Sequence, residues 1–389
     1  MTRVAVVGGG LGGLAAAGFL HQAGLPVVVY EQARALREVG AGIMVAPNAV
    51  RLLRRLGVLS EFRERAVQLD VGWEFRRWQD GTVLSAQDLA AKSEALFGEH
   101  MYTTHRADLL DAVKHAVPAD AVRLGQRLTG FSAAGTGVSL SFADGQHAEA
   151  DVLIGADGIH SVIRAALTEP VPPAHSGMSA FRALVPAAGA PDFARRPAQS
   201  VWIGPGRHVV HYPVSGGEFI NMVAVGPADG YITESWTATA TVEEFLAAYE
   251  GWDDRLTSLI KGARTPGRWA LMIRQPLPGW TRGPVTLLGD AAHPMLPFLG
   301  QGAAQAFEDA ATLARCLAED RADPARALRR YEALRIARAS TVQQGSHARA
   351  DFNHLPDGPE QRARDDELRA IDPLASNAWL YSHDPFSLS

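Results

Sequence analysis

A valine-rich run, Val4-Ala5-Val6-Val7, passes directly into Gly8-Gly9-Gly10-Leu11-Gly12-Gly13, then into Leu14-Ala15-Ala16-Ala17-Gly18-Phe19-Leu20, and then into a second run, Val27-Val28-Val29-Tyr30-Glu31. Two short β-branched runs separated by a tight turn and a helix-length apolar segment read as strand, turn, helix, strand, the βαβ unit of a parallel sheet. Each glycine has its own reason. Gly8 allows a sharp turn off the first strand, Gly10 lets the backbone approach a pyrophosphate, and Gly13 lets the helix lie close on the sheet. The phosphates then sit at the helix N-terminus, where free N–H groups and the helix dipole favour anions. Glu31 closes the second strand about 20 residues beyond the glycines, where an acid accepts hydrogen bonds from ribose hydroxyls and repels a 2′-phosphate. The stretch points to a dinucleotide site; the alternative is a glycine-rich turn in an ordinary sheet.

The remaining totals set bounds. With 389 residues, 47% hydrophobic and 20% charged, the chain has an ordinary globular composition and a length suited to two or three packed units. A formal net charge of −5 and no Lys/Arg block argue against a nucleic-acid surface or a polybasic membrane anchor. The one cysteine, Cys316, makes no internal disulfide and leaves no Cys-based zinc site; in the helical stretch Ala314-Arg315-Cys316-Leu317 it reads as a packing residue. No metal is expected. Met1 leads within three residues into the first strand and no apolar run has membrane-span length, so the expectation is a soluble, cytoplasmic protein, monomeric or homodimeric.

Along the chain, Asn48 reads as an N-cap for a helix whose apolar positions 49, 52, 53 and 56 recur at helical spacing, with Gly57 as C-cap. Trp73 to Ser85 alternates around Asp80-Gly81 as a hairpin, and Arg106 stands at the entrance of a helix from Ala107 to Val117, either as a ligand contact or as a solvated charge. A further hairpin, Arg127 to Phe142 with Asp144-Gly145 as turn, leads to Val152-Leu153-Ile154-Gly155-Ala156-Asp157-Gly158, a second strand-to-helix corner whose helix begins at His160 or Ser161. From His175 to Val225 strand-length runs alternate with Gly/Pro turns and no phosphate loop occurs, which reads as a second, mainly antiparallel sheet. In Arg207-His208-Val209-Val210-His211-Tyr212 the strand period places His208, Val210 and Tyr212 on one face; His208 and Tyr212 either serve a phenolic proton or are structural residues. Thr241 to Ile260 reads as a helix opened by a Thr241/Glu244 capping box. The third corner is Val285-Thr286-Leu287-Leu288-Gly289-Asp290-Ala291-Ala292-His293-Pro294, continuing through Met295-Leu296-Pro297-Phe298-Leu299-Gly300-Gln301-Gly302 to a helix from Ala303 to Glu319. Pro294 and Pro297 keep the loop from becoming helix, so the helix starts near Gly302 and aims its positive end at something anionic. Glu308 and Asp309 within it read as structural, Pro324 to Gln344 as helix, and Asn377-Ala378-Trp379-Leu380-Tyr381 as a tail docked on the body.

Three corners in this order, Gly8 to Gly13, Gly155-Ala156-Asp157-Gly158 and Gly289-Asp290, resemble the single-component class A flavoprotein aromatic hydroxylases, among them salicylate hydroxylase, 3-hydroxybenzoate 6-hydroxylase and 6-hydroxynicotinate 3-monooxygenase. The likeness covers nearly the whole chain. It implies an α/β Rossmann-type FAD-binding domain with a parallel sheet (1–70, 101–170, 280–320), interleaved with a mainly antiparallel substrate domain (71–100, 171–279) and followed by a C-terminal helical segment (321–389). It implies FAD held by Gly8, Gly10, Leu11, Gly12, Gly13, Glu31, Gln32, Arg106, Leu128, Asp157, Gly289, Asp290, Gly302 and Ala303, with NADH or NADPH visiting a groove. Oxygen added to the reduced flavin gives a hydroperoxide that survives only where water is excluded. It then attacks an aromatic ring activated by loss of its phenolic proton, with His208 as the candidate base and Tyr212 orienting the substrate. Met44, Arg182, Pro297 and Phe298 are the candidate substrate contacts, and Arg207 a second candidate for holding a carboxylate. Histidines occupy the places of Met44 and Phe298 in the hydroxynicotinate members, and glutamine that of Pro297 in the 3-hydroxybenzoate members. The first expectation is therefore a salicylate-like hydroxybenzoate, ahead of a hydroxypyridine or an apolar phenol. The competing readings are a reductase of the same fold that does not activate oxygen and a flavin redox sensor. A halogenase is disfavoured because Arg268-Trp269-Ala270-Leu271-Met272-Ile273-Arg274 lacks the paired tryptophans and proline of that signature.

Overall fold

A computed structural model describes residues 2–36, 41–134, 137–234 and 237–387. The opening residues form β1 (Val4–Val7), α1 (Leu11–Gln22) and β2 (Val27–Glu31), followed after a short strand by α2 (Pro47–Leu56). β1 and β2 lie at the middle of a six-stranded sheet in the order Thr281–Arg282, Val285–Leu287, Val152–Gly155, β1, β2, Val122–Leu124, parallel except for the first pair. Strands buried on both faces must be apolar throughout, and those of β1 and Val152–Gly155 are wholly buried. Helices α1 and Gly302–Glu319 pack together on this sheet, in a core that runs from Val4 to Ala339.

The second sheet has seven strands in the order Gly267–Ile273, Ala174–Pro186, Phe219–Pro227, Arg207–Val214, Ala198–Gly204, Val71–Arg77, Val83–Asp88. Its pairings are antiparallel except between Ala198–Gly204 and Val71–Arg77. One face packs on Phe245, Tyr249 and Trp252; the other turns toward the parallel sheet and the long helix Pro324–Asn353.

The structure corrects several local readings. Pro47 takes the first helical position of α2 and Ala46 caps it without a side chain, so Asn48 is not the cap; its amide is buried and donates to Glu308 and Gln301. The 241–260 segment is two helices, Val242–Ala248 and Asp254–Lys261, because Gly251 takes φ +80° between them and Asp253 caps the second; the Thr241/Glu244 capping box is present. The helix from Pro324 continues through Gly345 to Asn353, and the next proline is Pro356. The Asp144-Gly145 turn joins Gly137–Phe142 to a further strand, His147–Ala150, and the tip at 135–136 lies outside the described residues. In the tail Tyr381 is the anchor, buried and accepting from Trp73 Nε1 at 3.0 Å, whereas Trp379 is half exposed. Cys316 is fully buried, and burial pushes its thiol up to about 11.

A largely buried ion network ties the long helix to the Gly302–Glu319 helix. Arg335 on the long helix donates to Glu308 at 2.6 Å and Asp309 at 2.7 Å on the facing helix, Arg338 adds a second cation to Glu308, and His293 meets Asp309 at 2.6 Å. Burial by itself would raise both carboxyls; Arg335, Arg338 and His383 outweigh it and hold Glu308 at about 2, and His293 with Arg335 lowers Asp309.

Two outcomes follow from that network. Arg335→Leu takes from two buried carboxylates the cation they share, leaving Glu308 with Arg338 and His383 and Asp309 with His293, and is expected to cost about 3–5 kcal/mol, read as a lower urea midpoint. Because the folded pKa of Glu308 is depressed, its contribution is complete above about pH 4.5 and is lost as pH falls toward about 2, so wild-type acid unfolding should steepen in that window and the steepening should shrink in Arg335→Leu.

Candidate active site

The dinucleotide corner is built at the C-terminal ends of the parallel strands. At Gly8 φ is +110° and a Cβ would lie 2.2 Å from the Ala156 carbonyl oxygen; at Gly13 a Cβ would lie 1.9 Å from the Gly8 carbonyl oxygen. Neither position admits a side chain. Gly10, the residue before α1, has nothing within 4 Å of where a Cβ would stand, so the turn is open there to a ligand. Gly12 is small for another reason: a Cβ would press on Leu288 at 2.8 Å and Ala306 at 3.1 Å, where α1 packs on the Gly302–Glu319 helix. Leu11 is buried in the first turn of α1.

Glu31 ties the corner together, accepting from Gly9 N–H at 2.6 Å and Ala33 N–H at 2.7 Å, with Gln32 exposed beside it. Asp157 accepts from the Ser161 hydroxyl at 2.5 Å and Val162 N–H at 2.8 Å, so it holds the start of the Val162–Leu167 helix; burial raises its pKa. Gly289 donates its N–H to Asp309 at 3.0 Å, which leaves the next residue, Asp290, exposed on a single 3-10 turn. Gly302 and Ala303 open the following helix. Arg106 opens the Arg106–Lys114 helix with its N–H on the Ala41 carbonyl, and Leu128 is buried at the start of the strand Leu128–Ala134, which pairs with Gly137–Phe142.

The loop from Gly289 to Gln301 is held from several sides. Arg164 donates to the carbonyls of Ala291 and Ala292, Gln343 to that of Pro294, His293 meets Asp309, and Gln301 accepts from Asn48. Pro297 is exposed and Phe298 is buried, its ring edge-on to His208 at 5.0 Å. Met44 is buried against Gly300, where a Cβ would lie 2.6 Å from its terminal methyl.

Register places His208, Tyr212 and Arg182 on one face of the second sheet. Paired residues of an antiparallel sheet share a face, and here Tyr212 pairs with Asn221, Val210 with Val223, His208 with Val225 and Arg182 with Val223. This face looks toward the parallel sheet, since Asn221 accepts from Gly42 N–H at 2.7 Å and Phe298 meets His208. His208 and Tyr212 stand four residues apart, about 13 Å of strand, with Val210 and Val223 part-exposed between them. Burial keeps the Tyr212 phenol protonated, and burial with the neighbouring His354 and Arg349 keeps His208 neutral. Arg182 is buried with its guanidinium 4.4 Å over the Trp269 ring; burial and then Arg106 lower it to about 10. Arg207 lies at the rim, 3.8 Å from Asp229. His211 faces the opposite side and accepts from Trp202 Nε1.

Sequence reading did not assign His354, Asn221 or Trp269. His354 caps the long helix and its Nε2 is 2.7 Å from His208 Nδ1; nothing in its sequence surroundings signals this. Asn221 was reachable, because its strand alternates in register with that of Tyr212. Among the described residues no group of three or more His, Cys, Asp or Glu is arranged to hold a metal ion, and no helix is long and apolar enough to cross a membrane.

Residues 1–346 match the family model described as FAD binding domain. The chain is 41% identical over 382 residues to 3-amino-4-hydroxybenzoate 2-monooxygenase PtnB3 of Streptomyces platensis, covering 98% of this chain and 96% of that protein. It is 40% identical over 352 residues to 6-hydroxynicotinate 3-monooxygenase of Pseudomonas fluorescens, covering 89% and 90%. A solved salicylate hydroxylase substrate complex superposes with a TM-score of 0.83 at 30% identity, covering 99% of this chain and 96% of that one. The turn closed at Gly8 and Gly13 and open at Gly10, with an acid at the end of β2, fits FAD. Gly10→Val, which puts a side chain into the open turn without meeting protein atoms at its Cβ, should yield folded protein with at least about tenfold weaker FAD binding, measured as flavin absorbance per chain after dialysis.

Proposed function

The chain belongs to the FAD-dependent aromatic hydroxylases, and on that premise we propose that it hydroxylates the ring of a hydroxybenzoate-class phenolic acid. The observation that carries this reading is the strand face with His208 at one end, Tyr212 at the other and the part-exposed Val210 and Val223 between them, walled by Phe298. On this reading the segments 1–70, 101–170 and 280–320 bind the cofactor, 71–100 and 171–279 receive the substrate, and 321–389 braces both.

FAD, when bound, accepts electrons from NAD(P)H and supplies the oxygen chemistry. Gly8, Gly10, Gly13, Glu31 and Asp290 would hold it, and the start of the Gly302–Glu319 helix would stabilise negative charge on it. In the tautomer that donates Nδ1–H to His354, neutral His208 would accept the phenolic proton at Nε2, which turns the ring into a stronger nucleophile. Tyr212 stays protonated and donates to a substrate oxygen. Met44 and Phe298 keep water out. Arg182, on the same sheet face, supplies positive charge for a carboxylate, while Pro297 contributes only an apolar rim.

Two relatives act on ring acids that also carry a ring hydroxyl, as their names state. The apolar Met44 and Phe298 favour a benzene ring over a pyridine, whose nitrogen would face no partner there. NADH and NADPH oxidation by the holoenzyme should therefore rise with 3-amino-4-hydroxybenzoate or salicylate more than with 6-hydroxynicotinate, the product gaining one oxygen by mass. His208→Gln should keep its flavin and lose about 10²–10⁴-fold in kcat. Wild-type turnover in that variant would remove His208 from the mechanism, and no stimulation by any hydroxybenzoate would remove the substrate class.

A further inference from the structure

We propose that His354 is the proton outlet of this site, passing the proton that His208 takes from the phenol onward to solvent. The inference rests on the reading of His208 as the acceptor of that proton.

The pair is formed by segments far apart in sequence. His208 lies mid-sheet and is 2% exposed, whereas His354 ends the long helix and is part-exposed; their nitrogens, Nδ1 and Nε2, are 2.7 Å apart. Neighbours hold both rings in place: Gly206 donates its N–H to the His354 carbonyl at 2.9 Å, and Phe298 lies edge-on to both imidazoles, at 5.0 Å and 6.3 Å. When both rings are neutral, a contact this short holds one hydrogen between the two nitrogens, so each ring sets the tautomer of the other. In the tautomer in which His208 donates from Nδ1, its Nε2 keeps a lone pair that can accept a proton, and His354 carries its own proton on Nδ1.

The transfer then balances. The phenol O–H bond breaks as an N–H bond forms at His208 Nε2, the Nδ1 proton of His208 moves to His354 Nε2, and the Nδ1 proton of His354 goes to water. No net charge is left on the pair. When the hydroxylated product takes a proton back from His208 Nε2 on leaving, the same bonds run in reverse, and His354 Nδ1 regains its proton from water.

The surroundings favour passage over storage. Burial, His354 and Arg349 all oppose an imidazolium at His208. Around His354, burial and Arg207 oppose one while Asp351 favours it, and the balance leaves its pKa at about 4. A proton that reached His208 with no way onward would be expelled back to the phenolate. Tyr212 is too weak an acid to share it, and His211 faces the other side of the sheet.

The test mixes holoenzyme with 3-amino-4-hydroxybenzoate in weakly buffered solution in a stopped-flow instrument, following phenolate absorbance and proton release with a pH indicator. His354→Gln retains a hydrogen-bonding side chain that a purely structural role would accept, but its amide does not relay a proton. Proton release should slow at least about tenfold while flavin content and KM stay at wild-type values, and added imidazole should restore it in His354→Ala. If His354→Gln loses flavin, the His354→Ala protein with and without imidazole decides instead. Wild-type release in His354→Gln alongside slow release in His208→Gln overturns the outlet and leaves His208 as the base. Wild-type release in both, or no ionisation of the compound by the wild-type enzyme, overturns the reading of His208 or of the substrate, and the outlet with it.

Discussion

Two carboxylates side by side in a protein interior are unstable unless cations reach them, and this molecule places Glu308 and Asp309 there in consecutive positions of one helix. Arg335 answers both at once. Its planar guanidinium spans the two acids, which an ammonium on a flexible stem would not do, and it ties the long helix to the facing one. The same two acids also take hydrogen bonds from Asn48 on α2, from His293 and from the Gly289 N–H. One buried charge cluster therefore fixes two helices, the start of a third and the loop that ends the parallel sheet.

That loop links the core to the chemistry. Because Gly289 and His293 are tied to Asp309, Asp290 is left facing outward at the edge where β1 and β2 also end. Because Gln301 is tied to Asn48, the intervening 297–299 turn brings Phe298 to His208 and sets Gly300 against Met44. The glycine corner and the face carrying His208 and Tyr212 belong to different sheets, yet their separation is set by one short segment whose two ends are both tied to the buried cluster. Catalysis that requires two reactants in near contact depends on such fixed spacing.

Local patterns disclosed much of this. The β1–α1–β2 unit, the later strand-to-helix corners and the strand carrying His208 and Tyr212 were legible because glycine, valine and period-two alternation act over a few residues. What stayed hidden depended on partners distant in sequence. Asn48 looks like a helix cap until Pro47 is seen to hold the first helical position and Glu308 to claim the amide. The split of the 241–260 helix turns on the positive φ of Gly251, one glycine in a segment whose helical period is otherwise sustained. His354 sits in a polar stretch with no motif, and its meaning comes only from where a 30-residue helix happens to end. Gly12 shows the converse case: its place in a glycine motif suggests a ligand contact, while its missing side chain makes room for Leu288 and Ala306.

The strand order of the parallel sheet has a consequence for how the chain is made. β1 lies between β2, which follows within about twenty residues, and Val152–Gly155, which itself waits for Val285–Leu287. During synthesis the glycine turn would emerge first with only half of its sheet beside it. Glu308 and Asp309 would then leave the ribosome before Arg335, so the helix that seals the sheet would carry two negative charges without their shared arginine until the next helix arrived. Folding of this architecture is thus weighted toward late, long-range closure, slow by comparison with a fold whose neighbours in space are neighbours in sequence.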